Sequence, residues 1–354
     1  MQDDPCPQND VTEKIQIIQK QAEVIEAEGK GKRKKKISKY RQFPFLRRSV
    51  NINTWLDKNE KVLWRYLSSC ANDTEKLVFE TESGVGLYHF QMLDLQPSKW
   101  INDGVINGFA SMLNYEEKER ISGSNIFGDA DKVKGIKPRL FGHTNCFDED
   151  MLLNKKHGEA GRVEKFKSAL FLVVDKKESL MSLSEYCVIC FPILEYNHFY
   201  LVSFDMESNA ITVIDNMDAN ESPIQLINND NYFQKSTPFK VKDIFSKYLK
   251  MENHPKSAEI QIADVVRLEF DWKTVNNSVD CGVFVMRHME TWFGITTDKW
   301  DSGFPLTHRE KKACLTNLRK KYAIKLVTSE ANKHRSRMLD EAAEHERTHG
   351  IGFF

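Results

Sequence analysis

The sequence predicts an α+β fold, because helical and strand periodicities both occur between about residue 52 and residue 300. Helices are predicted over residues 54–69 and 103–114. Short runs rich in β-branched and aromatic residues predict strands at 76–80, 168–174, 186–194, 198–204 and 210–214. With 354 residues, of which 40% are hydrophobic, the chain can bury a substantial core.

Changes in composition divide the chain into three predicted regions. Residues 1–50 contain the basic run GKGKRKKK at 29–36 and predict a flexible N-terminal extension. Residues 51–300 are predicted to form the folded domain. Residues 301–354 predict a charged, helical C-terminal extension, either docked on the domain or trailing from it.

One long helix is predicted within the C-terminal region, over residues 306–346. It opens with the sequence Thr-His-Arg-Glu, which has the spacing of a capping box. Its predicted packing stripe consists of Leu315, Leu318, Tyr322 and Leu326.

Charge and cysteine content argue against several classes of protein. Lys and Arg number 51 and Asp and Glu number 51, so a net charge of zero gives no whole-chain argument for nucleic acid or membrane binding. The seven cysteines are irregularly spaced, unlike those of a disulfide framework. No apolar run approaches the roughly 18 residues of a membrane span, and MQDDPCPQND lacks the features of a signal peptide.

These features predict an intracellular protein that has no membrane partner and is a monomer. The basic run at 29–36 predicts nuclear import, with the cytoplasm as the alternative location. Contact with nucleic acid is expected only through residues 29–48.

The stretch NNSVDCGVFVMRHMETWF, residues 276–293, predicts a helix with a cysteine in its first turn. Its apolar positions have the spacing of a helix packed on one face: Val283, Met286, Met289, Trp292 and Phe293. Asn277, Ser278 and Asp280 are each candidates to cap it. The positive end of a helix favours the thiolate form of a cysteine, so Cys281 is a candidate nucleophile. The alternative is that Cys281 is a small buried core residue.

Residues 198–215 predict a β-hairpin that brings a histidine and an aspartate together. If the four residues 205–208 form the loop, Phe204 pairs with Asn209 and His198 lies directly opposite Asp215. A carboxylate in that position orients an imidazole and stabilises its charged form. Together with Cys281, this pair predicts a Cys-His-Asp nucleophilic set.

Neither a metal nor a cofactor is predicted. Cys187 and Cys190 form a C-x-x-C sequence, but they lie in an apolar strand and no second pair completes a zinc site. The basic run at 29–36 lacks the Gly-Lys-Ser/Thr ending of a phosphate-binding loop.

The order and spacing of four motifs resemble the SUMO-specific (sentrin-specific) cysteine proteases that process ubiquitin-like proteins. The motifs are the sequences WIND at 100–103, HF at 198–199, DN at 215–216 and DCG at 280–282. The resemblance covers roughly residues 85–295 and is strongest to plant members, many of them transposon-associated. It implies a papain-like (permuted, adenain-type) fold with a central mixed sheet and the catalytic cysteine at a helix N-terminus.

The resemblance also implies roles for individual residues. Cys281 corresponds to the nucleophile, His198 to the general base and acid, and Asp215 to the orienting acid. Trp100 matches a residue placed over the substrate's C-terminal Gly-Gly. Phe199 replaces the more usual tryptophan and is expected to form an apolar lid. Asp103 matches a position associated with substrate docking.

One residue departs from the family pattern. Members usually have a glutamine six residues before the cysteine, where its side chain helps to bind the oxyanion; here that residue is Val275. Loss of one oxyanion donor typically costs about 100- to 1,000-fold in rate. Asn276 and Asn277 are candidates to replace the donor.

The sequence therefore predicts a thiol protease or isopeptidase that cleaves after the Gly-Gly of SUMO or a related protein, in maturation or deconjugation. Three alternatives remain open. The same chemistry could act on another modifier, such as a NEDD8-like protein, or on a different acyl group. The chain could also be a weakly active or inactive module that binds a ubiquitin-like protein. The third alternative is a transposon-encoded accessory protein whose basic N-terminal run engages nucleic acid.

Overall fold

The structure is a computed structural model that describes most of the chain from Ser49 onward. The described residues are 49–69, 74–126, 138–153, 158–173, 183–218, 236–275, 277, 279–294 and 300–349. All of them belong to one unit, Arg47–Phe354. The predicted basic segment 29–48, with its run at 29–36, lies outside the described residues, and so does Asn276.

A mixed sheet of five strands forms the centre of the described structure. Its strands are β3 (Arg139–Phe141), β4 (Val188–Glu195), β5 (His198–Asp205), β6 (Ala210–Ile214) and β7 (Val265–Arg267), in that spatial order. The two outer pairs are parallel, and the two inner pairs are antiparallel. The predicted α+β class with a central mixed sheet is confirmed.

Two further strands form a small antiparallel sheet, and helices surround both sheets. The small sheet consists of β1 (Leu77–Glu80) and β2 (Gly86–Tyr88). The helices of the described residues are α1 (Lys58–Ser68), α2 (His89–Met92), α3 (Asp103–Ile126), α4 (Glu149–Leu153), α5 (Glu159–Val173), α6 (Thr237–Met251), α7 (Ser257–Ile262), α8 (Cys281–Thr291), α9 (His308–Thr328) and α10 (Arg335–His349).

Strand β5 lies between two hydrophobic cores, and every one of its residues is buried. Side chains alternate between the faces of a strand. Phe199 and Leu201 therefore enter the core that contains α3, α8 and α9. Tyr200, Val202 and Phe204 enter the core that contains α5 and α6. Burial on both faces explains why the strand reads as a continuous apolar run.

The prediction of a strand at 168–174 is wrong, because its described residues belong to α5. A short apolar run does not distinguish a buried strand from a helix segment. In the helix, Phe166, Ala169 and Leu170 point into the core, whereas Phe171 and Leu172 remain exposed. The buried residues Ala169 and Leu170 follow Phe166 by three and four residues, which matches the helical period.

The bounds of the first two predicted helices also change. Helix α1 begins at Lys58, not at residue 54, because Asp57 and Glu60 form a capping box there, with reciprocal side chain-to-backbone bonds of 2.9 and 2.8 Å. Helix α3 continues to Ile126, past the predicted end at residue 114. No helix among the described residues is long and apolar enough to cross a membrane.

The C-terminal region forms two helices rather than the single predicted one. Helix α9 begins after Thr307, whose hydroxyl accepts the N–H of Glu310 as the capping-box sequence predicts. It ends at Thr328, and Asn332 then binds the carbonyl oxygens of Val78 and Val327, which fixes the turn against β1. The predicted stripe is buried in the core that also contains Cys281: Leu315, Leu318, Tyr322 and Leu326.

Candidate active site

The hairpin of β5 and β6 forms as predicted, but its turn lies one residue later. Asp205 pairs with Ala210, so the turn consists of residues 206–209 instead of 205–208. The Oδ1 atom of Asp205 accepts two backbone N–H groups of this turn, at 2.9 and 3.0 Å. An aspartate that bonds to its own following backbone in this way fixes the start of a turn.

The prediction that His198 lies directly opposite Asp215 is therefore wrong. The observed register, extended by one residue, places Asp215 opposite Tyr200. His198 and Tyr200 are two residues apart and lie on the same face of the strand, so the register change keeps the histidine and the aspartate together. Diagonal neighbours of this kind remain within reach of one another.

His198 and Asp215 form a buried pair at the end of the hairpin. Their exposed fractions are 3% and 0%, and Nε2 of His198 lies 2.8 Å from Oδ1 of Asp215. The same oxygen accepts the N–H of Met217 at 2.9 Å. Arg267 donates to the other oxygen, Oδ2. Donors on both oxygens fix the orientation of the carboxylate, and the carboxylate in turn fixes the imidazole.

The pair favours an imidazolium beside a carboxylate. Burial lowers the pKa of His198, but the charge and hydrogen bond of Asp215, with a hydrogen bond to Cys281, raise it above its ordinary value of 6.5. Burial raises the pKa of Asp215, but His198 and Arg267 outweigh this effect and lower the pKa below 3.8. The imidazole is therefore oriented as a proton donor and acceptor next to the thiol.

Cys281 is the first residue of α8 and has an exposed fraction of 1%. Its Sγ atom lies 4.0 Å from the carbonyl oxygen of Asn197, which directly precedes His198. The next residue, Gly282, packs against Ile101: a Cβ atom on Gly282 would lie 2.8 Å from the Cβ atom of Ile101. Glycine thus allows the start of α8 to approach the segment that carries Trp100.

Asp280 occupies the N-cap position of α8, but its side chain does not cap the helix. One carboxylate oxygen accepts two bonds from Arg319, at 2.9 and 2.8 Å, and the other accepts from Asn277 at 3.1 Å. Asn277 also accepts the N–H of Asp280 at 3.1 Å, one residue before the helix begins. Ser278, the third predicted candidate for the cap, lies outside the described residues.

Trp100 lies beside the thiol and covers Phe199. The two rings are nearly parallel, at 20°, with centroids 5.4 Å apart. The indole N–H of Trp100 donates to the same carbonyl oxygen of Asn197 that lies near Cys281, at 3.1 Å. Phe199 is fully buried beneath Trp100. The expectation that Phe199 forms a lid is therefore wrong, because it supports Trp100 from below.

The segment before Cys281 is fixed to the end of β6. Thr274 donates its N–H to the carbonyl oxygen of Asn216 at 2.7 Å, and Asn216 donates from its side chain to Thr274 Oγ1 at 2.9 Å. Val275 follows with an exposed fraction of 40% and offers no side-chain donor. Asn277, the second candidate donor, bonds to Asp280. Asp103, the predicted docking residue, is the half-buried first residue of α3.

Among the described residues, no group of three or more His, Cys, Asp and Glu side chains has an arrangement that could hold a metal ion.

Sequence reasoning missed Arg267 and Asn197. Arg267 reaches Asp215 from β7, which follows β6 in the chain only after α6 and α7. Asn197 has φ +60° in the tight turn between β4 and β5. An asparagine in that turn is a local signal for a left-handed backbone conformation. No local signal marks Arg267.

Comparison with known proteins identifies the fold of the chain. No family model matches the chain, and no curated protein matches it either. A solved structure that does match is the C-terminal Ulp1 protease domain in complex with Smt3, the yeast ortholog of SUMO. The TM-score is 0.50 at 14% sequence identity, over 80% of this chain and 100% of that chain. This chain has the Ulp1 protease fold.

A second structure matches to the same extent, that of the SUMO protease Ulp1 with its catalytic cysteine oxidised to a sulfenic acid. It also has a TM-score of 0.50 at 14% identity, with coverage of 80% and 100%. The predicted papain-like fold with its central mixed sheet is therefore confirmed. At this level of identity the likeness concerns the fold, so the reaction must be argued from the site.

Proposed function

We propose that the protein is a cysteine protease that cleaves after the C-terminal Gly-Gly of SUMO or a related ubiquitin-like protein. The observation that carries the proposal is the buried His198–Asp215 pair next to Cys281 at the start of a helix. A base oriented by an acid, beside a thiol at a helix start, is the arrangement that activates a cysteine nucleophile. The Ulp1 fold and the motif resemblance support the choice of substrate.

The proposed reaction proceeds through an acyl-enzyme. The Cys281 thiolate attacks the carbonyl carbon of the terminal glycine, and a C–S bond forms. The imidazolium of His198 then gives its proton to the departing amine, which is a lysine in deconjugation or a peptide amine in maturation. Water attacks the thioester while His198 takes its proton. The C–S bond then breaks, which restores the Cys281 thiolate beside the His198 imidazolium, and the released carboxylic acid of the modifier loses its proton to solvent.

Trp100 supplies a reason for glycine specificity. Its indole N–H and the Sγ atom of Cys281 both lie near the Asn197 carbonyl oxygen, and Phe199 stacks on one face of its ring. A substrate chain that passes along the face of the Trp100 ring opposite Phe199 has little room for side chains, which favours a Gly-Gly tail. Asp103, the half-buried first residue of α3, is proposed as a docking contact for the body of the modifier.

A second candidate function is binding without turnover. Val275 favours it, because the side chain at this position has no N–H group to stabilise an oxyanion. Asn277 already bonds to Asp280 on both its donor and its acceptor side, so it would have to give up these contacts to replace the missing donor. A protein with this second function would keep the geometry of the site, but its chemical step would be slow or absent.

A cleavage assay separates the two functions. Purified protein is incubated with SUMO, NEDD8 and ubiquitin precursors extended beyond Gly-Gly, and with the corresponding lysine conjugates. We expect cleavage of a SUMO-type substrate that Cys281→Ala abolishes and Cys187→Ala leaves unchanged, because Cys187 directly precedes β4, at the opposite end of that strand from Glu195, the residue that pairs with His198. Binding of a modifier without cleavage supports the second candidate. Cleavage that survives Cys281→Ala contradicts the proposed mechanism.

The cellular setting is a separate proposal that rests on the sequence. The basic run at 29–36 supports nuclear import, and residues 29–48 are the proposed region for any contact with nucleic acid. Resemblance of the motifs to plant, transposon-associated members supports an origin of that type. Loss of nuclear fluorescence when the lysines and arginine of 29–36 are replaced by alanine tests the location.

A further inference from the structure

Arg319 on α9 has the largest of the fully buried side chains, with an exposed fraction of 1%. Its guanidinium donates to four oxygen atoms from two other segments of the chain. In the segment before α8, the acceptors are Oδ1 of Asp280, at 2.9 and 2.8 Å, and the carbonyl oxygen of Val279, at 2.6 Å. In the segment before α3, they are the carbonyl oxygens of Asp94 and Gln96, at 3.1 and 3.2 Å.

The two segments that Arg319 joins carry the two sides of the active site. Val279 and Asp280 directly precede Cys281, and Gln96 lies four residues before Trp100. A planar guanidinium with several donors in fixed directions holds such acceptors at defined distances. Arg319 therefore sets the separation between the start of α8 and the segment that places Trp100 beside the thiol.

Arg319 also balances a charge that borders the nucleophile. Asp280 is adjacent to Cys281. Its carboxylate accepts hydrogen bonds from Arg319 and Asn277 and does not cap the helix. A carboxylate without a counter-ion disfavours a second negative charge nearby and so disfavours a thiolate. The buried guanidinium removes this penalty at the residue next to the sulfur.

We propose that Arg319 is a positioning residue for Cys281, which acts through Asp280 and through the segment that leads to Trp100. The inference rests on the proposed function, since it assigns Arg319 a part in the thiol chemistry of the same site. It makes the C-terminal helix α9 a component of the active site, although no residue of α9 is a predicted catalytic residue. Because Arg319 is a buried cation that aligns the nucleophile, its replacement should change the reactivity of the Cys281 thiol as well as the stability of the fold.

Lys321 provides a matched control on the same helix. It is also buried, at 6% exposure, and donates to the carbonyl oxygen of Asn51 and to Thr54 Oγ1, both at 2.6 Å. These acceptors belong to the loop before α1 and not to the segment before Cys281. Lys321→Met therefore removes a buried cation from α9 together with two hydrogen bonds to the loop before α1, neither of which reaches the segment before Cys281.

The test measures the alkylation rate of Cys281 by iodoacetamide across pH, with the Cys281 peptide quantified by mass spectrometry. It needs no modifier, so its outcome is independent of which substrate the protein cleaves. We expect Arg319→Gln to move the midpoint of alkylation up by about one pH unit, which is about a tenfold loss of thiolate below the midpoint. Lys321→Met should lower stability while leaving that midpoint in place. Equal midpoints in the two variants would overturn the proposal.

Two further variants distinguish the effect of the Arg319 charge from that of its hydrogen-bond geometry. They also keep the proposal testable if Arg319→Gln alone does not fold. In an Asp280→Asn background, Arg319→Gln should shift the midpoint little, because the charge it balances is gone; a full shift there contradicts action through Asp280. Arg319→Lys keeps the charge but reaches fewer acceptors. It should retain the wild-type midpoint and lose about tenfold in turnover of a Gly-Gly substrate. Wild-type turnover in this variant would overturn the positioning role.

Discussion

Arg267 donates a hydrogen bond to Oδ2 of Asp215, the carboxylate oxygen that His198 does not use. The aspartate is fully buried, and it receives bonds from one imidazole, one guanidinium and one backbone N–H. This arrangement gives the carboxylate a second cation in addition to the imidazolium. The orientation of the base therefore depends on β7 as well as on the hairpin.

Replacement of Arg267 by methionine should weaken the support of the imidazolium. Loss of the guanidinium raises the pKa of Asp215, because Arg267 is one of the charges that lower it. We expect the acid limb of the kcat/KM profile to move to higher pH and the maximal rate to fall about tenfold. Lys273→Met is the control, since Lys273 is a nearby cation that pairs with Glu269. Identical pH profiles for the two variants would contradict the role of Arg267.

The His198–Asp215 pair should make the folded state's stability depend on pH in a defined way. The raised pKa of His198 means that its contribution is complete below its ordinary pKa of 6.5 and is lost as the pH rises through the raised value. The lowered pKa of Asp215 means that its contribution is complete above 3.8 and is lost as the pH falls. The free energy of unfolding lost in Asp215→Asn should therefore be larger at about pH 5 than at about pH 9. Chemical denaturation at both values checks this, and an equal loss contradicts it.

Gly282 should not tolerate even the smallest side chain. Alanine there places a methyl group 2.8 Å from the Cβ atom of Ile101, an atom next to the backbone that cannot move aside. We expect Gly282→Ala to lower the free energy of unfolding by about 1–3 kcal/mol, as overpacking typically does. Gly158→Ala is the matched control, since its added methyl group meets no atom within 4 Å. Thermal or chemical denaturation of both variants measures the difference, and equal stabilities would rule out the close approach.

A donor introduced at position 275 should raise the rate of the chemical step. Val275→Gln supplies the side-chain N–H that the family resemblance associates with this position. We expect kcat to rise by at least about tenfold with little change in KM, since the donor acts on the transition state. Val266→Gln replaces another exposed valine, on β7, and should leave kcat unchanged. A Val275→Gln variant no faster than this control would show that the oxyanion is bound elsewhere.

The pairing of His198 with Asp215 illustrates how much of the site can be predicted from the sequence. The alternation of side chains along β5 and β6 predicts that the two residues share a face, and this part is correct. The exact pairing failed because Asp205 initiates the turn with its own side chain, one residue after the predicted strand end. The predicted and observed partners of Asp215 on β5 differ by two residues, so His198 and Asp215 still lie on the same face of the sheet.

The contacts of Arg267 and Arg319 could not be predicted in this way. Each arises from tertiary packing between segments that are far apart in the chain, and neither has a periodic or motif signal. The strand wrongly predicted at 168–174 reflects a related limit, since a short apolar run fits either a strand or a helix until its neighbours are known. The helix cap at Thr307, in contrast, was predicted from local spacing, and the Asp57–Glu60 capping box, which was missed, has the same spacing.

We propose Cys281 as the nucleophile that accepts the C-terminal glycine of a ubiquitin-like protein. The most direct measurement is covalent trapping with a panel of ubiquitin-like proteins whose C-terminal glycine carries an electrophilic warhead. We expect a mass shift equal to one modifier, on Cys281, that is absent in Cys281→Ala. Folded wild-type protein that shows no shift with any modifier, or a shift that persists in Cys281→Ala, would contradict it.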